Sequence, residues 1–115
     1  MKSISIRLRV HIDGELAIGP GRIELLELIE RTGSLASAAR AMHMSYRRAW
    51  LLMRSLNEAL REPAFESAKG GRHGGGAALT ETGRSLVRAY RSTEADCLAR
   101  VRLRLGRFAR RGRPA

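Results

Sequence analysis

Apolar residues recur at every second position near the start of the chain. Ile4, Ile6, Leu8, Val10 and Ile12 alternate with Ser5, Arg7, Arg9 and His11. A period of two places one set on each face of a β-strand, so residues 3–13 predict a strand with one buried face. Asp13-Gly14 is a tight-turn pair, and Glu15 to Ile18 read as a short returning strand. Gly19-Pro20-Gly21 breaks that pattern.

From Arg22 the spacing changes to that of a helix, with Ile23, Leu25, Leu26, Leu28 and Ile29 on a broad apolar face. Gly33 suits its C-terminal cap, and Ser34 suits the N-cap of the next helix. That second helix, residues 35–42, is short and rich in alanine, which lets helices approach closely. Met42-His43-Met44 makes a tight connection, and Ser45 caps a third helix running to about Leu60. Pro63 blocks its continuation. Residues 65–79 hold five glycines, so two short strands around a glycine loop fit them better than a helix. Thr80 then caps a long last helix, with Glu81 at its positive end and Leu86, Val87, Tyr90, Cys97, Val101 and Leu105 along it.

The order is strand, strand, helix, short helix, tight turn, helix, glycine hairpin, helix. Helix, tight turn and helix make a helix-turn-helix, and a glycine hairpin after it is a wing. The expected fold is mainly α with small β-hairpins: a winged helix-turn-helix with an N-terminal hairpin and a long C-terminal helix. Residues 1–106 form the expected domain. Residues 107–115 read as a basic, disordered tail.

Charge adds a partner. Twenty-two Lys and Arg oppose eleven Asp and Glu, a formal +11. Residues 1–46 hold six basic and five acidic side chains; residues 47–115 hold sixteen and six. An excess gathered in one half is the footprint of a polyanion. A GC-rich genome would account for arginine over lysine, but not for this polarity. No run of 18 apolar residues exists, so no membrane-spanning helix is expected. The first residues lack the unbroken apolar run of a signal peptide, and a cytoplasmic, nucleoid-associated protein is expected.

Placing residues of the third helix about 100° apart puts Met53, Leu56 and Leu60 beside Ala49 as a buried stripe. Arg47, Leu51 and Arg54 fall opposite, flanked by Arg48 and Ser55. That is the face a recognition helix offers to the major groove of double-stranded DNA. Ser45 is placed to bond a phosphate, or to act as a cap alone. Tyr46 is assigned to DNA as a stacking or phosphate contact, although its angle favours inward packing. Trp50 favours packing over base contact. Lys69 and Arg72 in the glycine loop would touch phosphate or the minor groove. The loop lacks the Gly-Lys-Ser/Thr ending of a nucleotide-binding loop. His11, His43, His73 and Cys97 lack metal-ligand spacing, and Glu24, Glu27 and Glu30 read as solvated charges. No catalytic group, cofactor or metal site is expected.

Gly21-Arg22-Ile23-Glu24-Leu25-Leu26 and Gly33-Ser34-Leu35-Ala36-Ser37-Ala38-Ala39 resemble the ModE family of molybdate-responsive transcription regulators. So do Met44-Ser45-Tyr46-Arg47-Arg48-Ala49-Trp50, Gly74-Gly75-Gly76-Ala77 and Leu79-Thr80-Glu81-Thr82-Gly83. The Ser-Tyr-Arg-Arg-Ala-Trp run is the most specific of these. LysR-type regulators have a related domain without that run. The resemblance spans about residues 16–90. It implies a winged helix that dimerises through its long last helix and N-terminal region and binds a palindromic operator. Molybdate binding is not expected of this chain, because nothing in it matches the family's oxyanion site. The resulting expectation is a homodimeric, sequence-specific DNA-binding regulator that is not an enzyme. The alternative is a non-specific architectural DNA-binding protein.

Overall fold

A computed structural model describes residues 3–68 and 76–110. Strands β1 (Val10–Ile12) and β2 (Glu15–Ile18) form an antiparallel hairpin. Helices α1 (Pro20–Thr32), α2 (Leu35–Ala41) and α3 (Tyr46–Ala59) follow. Strands β3 (Phe65–Ala68) and β4 (Gly76–Leu79) form a second antiparallel hairpin, and α4 (Glu81–Leu105) closes the order. This is a winged helix-turn-helix with an N-terminal hairpin and a long C-terminal helix.

The core lies among α1, α2, α3 and the second hairpin. Ile23, Leu25, Leu26 and Ile29 of α1 meet Leu35, Ala38 and Ala39 of α2, Ala49, Met53 and Leu56 of α3, and Ala77 and Leu79 of β4. Alanines on α2 and at position 49 give the close approach that a tight helix pair requires. Helix α1 begins at Pro20, inside the predicted break. Proline is tolerated at the first helical position, where its missing N–H has no intrahelical partner to lose. Gly33 caps α1 in the left-handed region at φ 73°, and its N–H donates to the Ile29 carbonyl at 2.7 Å. The Ser34 hydroxyl accepts from the Ser37 amide at 3.1 Å and starts α2.

The first hairpin differs from the expected long strand. Only Val10–Ile12 pair with β2, and a bulge between Val10 and His11 shifts the register. Ile4, Ile6 and Leu8 are half-buried and their neighbours exposed, as expected, but Val10 and Ile12 are exposed. The bulge interrupts the alternation that the period of two had extended through Ile12. Among the described residues, residues 3–9 have no strand partner. They run along α4, where the Tyr90 hydroxyl donates to the Leu8 carbonyl at 2.6 Å.

Two further expectations change. Glu27 is not a solvated charge: the Arg91 guanidinium grips its carboxylate at 2.7 and 3.0 Å and also meets Glu94 at 2.8 Å. These bonds raise the Arg91 pKa above the ordinary arginine value and tie α1 to α4. Leu105 is exposed, because the end of α4 runs past the core. One turn of 3-10 helix, Gly106–Phe108, continues the chain into the segment read as a tail.

Candidate nucleic-acid interface

The turn between α2 and α3 is short and fully bonded. The His43 amide donates to the Arg40 carbonyl and the Met44 amide to the Ala39 carbonyl, each at 3.0 Å. His43 itself takes a positive φ of 56° to complete the turn. Ser45 caps α3, its hydroxyl oxygen accepting from the Arg48 amide at 3.1 Å. Ser45 is exposed, and its hydroxyl proton is left as a donor for a phosphate.

On α3 the buried stripe is Ala49, Met53 and Leu56. Leu60, expected to join it, is half-buried and lies past the helix end, in extended backbone. The opposite face carries Arg47, Arg48, Leu51 and Arg54, all exposed. Among the described residues no carboxylate lies within ion-pair distance of Arg47 or Arg48. Both guanidinium groups therefore face solvent. Together with Ser45, Leu51 and Leu52 they line an open groove of about 410 Å³.

Tyr46 does not pack inward. It is 57% exposed, because the core contacts of α3 begin one turn later at Ala49. Trp50 likewise remains 41% exposed, and the Arg54 guanidinium carbon sits 5.2 Å from its ring centroid. Arg54 also donates from Nε to Glu58 at 3.0 Å. Glu58 was absent from the sequence expectations, although its spacing of four from Arg54 is the signal of a helical ion pair. Leu51, placed on this face by the sequence but given no role there, is 47% exposed at its centre.

The wing is fixed relative to α3 by a polar clamp. The Asn57 amide donates to the Phe65 carbonyl at 3.3 Å, and its oxygen accepts from the Ala64 amide at 2.8 Å. From the other side, the Thr80 hydroxyl donates to the Pro63 carbonyl at 2.6 Å and the Thr80 amide to the Ala64 carbonyl at 3.0 Å. A side chain at Gly83 would overlap that same carbonyl, so glycine is required where α4 crosses the loop. The Ala77 amide donates to the Gly33 carbonyl at 3.0 Å and holds β4 on the end of α1. Lys69 and Arg72, the expected wing contacts, lie outside the described residues.

Known proteins share this stretch of sequence. The family model for the bacterial regulatory helix-turn-helix protein, lysR family, matches residues 21–84. The molybdenum transport protein ModE of Azotobacter vinelandii is 40% identical over 90 residues, which cover 78% of this chain and 33% of that protein. The molybdenum-pterin-binding protein MopB of Rhodobacter capsulatus is 44% identical over 78 residues, covering 68% of this chain and 29% of that protein. The DNA-binding transcriptional dual regulator ModE of Escherichia coli (strain K12) is 34% identical over 96 residues, covering 84% and 35%. The chain thus spans about a third of the length of these relatives. With the helix-turn-helix, the wing and the residues of the match in agreement, the chain belongs to the lysR family of bacterial regulatory helix-turn-helix proteins, and its domain is of the ModE-like kind.

Proposed function

We propose that this protein is a cytoplasmic, sequence-specific DNA-binding transcriptional regulator that lays α3 in the major groove and its wing on the adjacent backbone. One observation carries the proposal. Arg47 and Arg48 stand on the solvent face of α3, opposite the Ala49–Met53–Leu56 stripe, with no carboxylate to neutralise them among the described residues. A solvated arginine face adds little to stability, whereas aligned guanidinium forks match phosphate and guanine edges. Ser45, Tyr46 and Arg54 complete the helix contacts, and Lys69 and Arg72 are assigned to the wing. The protein works as a homodimer on an operator with two half-sites. Molybdate binding is not assigned to these residues.

The test is equilibrium binding to a duplex selected from a randomised pool. Wild-type affinity is expected to fall steeply with salt, because each phosphate contact releases counterions. Arg47→Ala and Arg48→Ala are each expected to weaken binding about tenfold or more without changing the circular dichroism spectrum. Unchanged affinity in both variants would remove α3 from the interface. A specificity ratio near one over random duplexes would replace the regulator with an architectural protein; a ratio of about a thousand or more supports the regulator.

A further inference from the structure

Three side chains on α3 form one connected arrangement. Arg54 donates from Nε to Glu58 Oε1 at 3.0 Å, one turn further along the helix. Its guanidinium carbon lies 5.2 Å from the centroid of the Trp50 ring, one turn back. Trp50 and Glu58 therefore hold the guanidinium from a ring and from one edge. Among the described residues the two terminal nitrogens of Arg54 have no protein acceptor. Those nitrogens are the pair a guanidinium uses in a bidentate contact.

We propose that Arg54 is a pre-oriented guanine reader, and that Glu58 and Trp50 are its positioning residues. The proposal rests on α3 lying in the major groove. Guanine presents two acceptors there, O6 and N7, matched by one guanidinium fork. A free arginine side chain must first be ordered out of many rotamers to make that contact. A carboxylate on Nε and a ring beside the guanidinium lower that cost beforehand and bias the direction of the fork. The acidic partner serves a second purpose. The Glu58 carboxylate also repels phosphates, so it holds back affinity for any duplex that does not engage the Arg54 fork. An exposed ion pair of spacing four contributes little to folding, so changing Glu58 leaves the domain intact.

The experiment uses the full chain and the best duplex selected from a randomised pool. Each guanine of that duplex is replaced in turn by adenine and by 7-deazaguanine, which lacks the N7 acceptor. For wild type, at least one guanine is expected to lose about tenfold on either replacement. Arg54→Ala is expected to abolish the preference at that position only. Glu58→Gln is expected to reduce the preference threefold or more while leaving affinity for random duplex unchanged or higher. Trp50→Ala is expected to reduce the same preference. A merely structural ion pair would leave the preference unaltered in Glu58→Gln, and that result overturns the positioning role. An Arg54→Ala variant that loses the preference at none of the guanines overturns the reader itself, as does a pool that yields no guanine. If Arg47→Ala and Arg48→Ala also leave affinity unchanged, the failure lies in the placement of α3 rather than in this triad.

Discussion

His43 sits in the left-handed region at φ 56°, exposed, in the turn that orients α3. A side chain there crowds the backbone and costs about 1 kcal/mol, a penalty glycine avoids. His43→Gly is therefore expected to raise stability by about 0.5–1 kcal/mol. His43→Val, with a branched Cβ, is expected to lower it by about 1–2 kcal/mol. Urea unfolding midpoints at constant slope measure both, and a less stable His43→Gly would show that the histidine side chain contributes something the turn does not explain. The length of this turn was legible in the sequence, but its dihedral was not, because histidine is not the residue that announces a positive φ. Asp13-Gly14 did announce its turn: Asp13 has φ 52° and Gly14 φ 84°. The Arg91–Glu27 grip was illegible for another reason. Its partners are 64 positions apart, and no local spacing relates them.

At the scale of elements, period and caps carried most of the information. Ser34, Ser45 and Thr80 each cap the helix they were expected to start, and the stripe on α3 holds at Ala49, Met53 and Leu56. The N-terminal strand was legible as a half-buried extended segment, yet its pairing was not, since a ladder needs a partner that periodicity cannot name. For residues 3–9 the anchor in this chain is α4. Burial first, then the nearby Glu94 carboxylate, raises the Tyr90 pKa above its ordinary 10.0. Neutral Tyr90 donates to the Leu8 carbonyl. The folded value lies above the unfolded one. The contribution is therefore fully present below about pH 10 and lost as pH rises through the raised value. In a Tyr46→Phe background, which leaves Tyr90 as the sole tyrosine, ultraviolet titration is expected to show an upward-shifted midpoint. Tyr90→Phe is expected to cost about 1 kcal/mol and to speed amide exchange in residues 3–9. Unaltered exchange there would mean that packing of Ile4, Ile6 and Leu8 holds the segment without the bond.

For the whole molecule, apolar surface is distributed unevenly. Leu103 is 79% exposed and Leu105 also exposed at the far end of α4, and Phe108 is 71% exposed in the turn that follows. The 25 residues of α4 span about 37 Å. Its last turns therefore project beyond a core that sits among α1, α2, α3 and the wing. Ile4 reaches Gly106 there, and among the described residues no strand pairs with residues 3–9. Scattered exposed apolar residues are ordinary, but three carried beyond the core beside an extended segment are the surface the proposed homodimer would use. A second copy related by a two-fold axis would cover both, and would present two α3 helices to two half-sites about one helical turn of DNA apart. The expected outcome is a species of twice the 12.7 kDa chain mass in sedimentation equilibrium at micromolar concentration. The double change Leu103→Glu, Phe108→Glu puts carboxylates on that surface without touching the core, so the domain should stay folded and become monomeric. The same variant should lose affinity for a two-half-site duplex but retain wild-type affinity for a single half-site, because only the linkage between heads is removed. A wild-type protein that sediments as a monomer, or a double variant that remains dimeric, would remove this surface from the assembly and leave each α3 to bind its site alone.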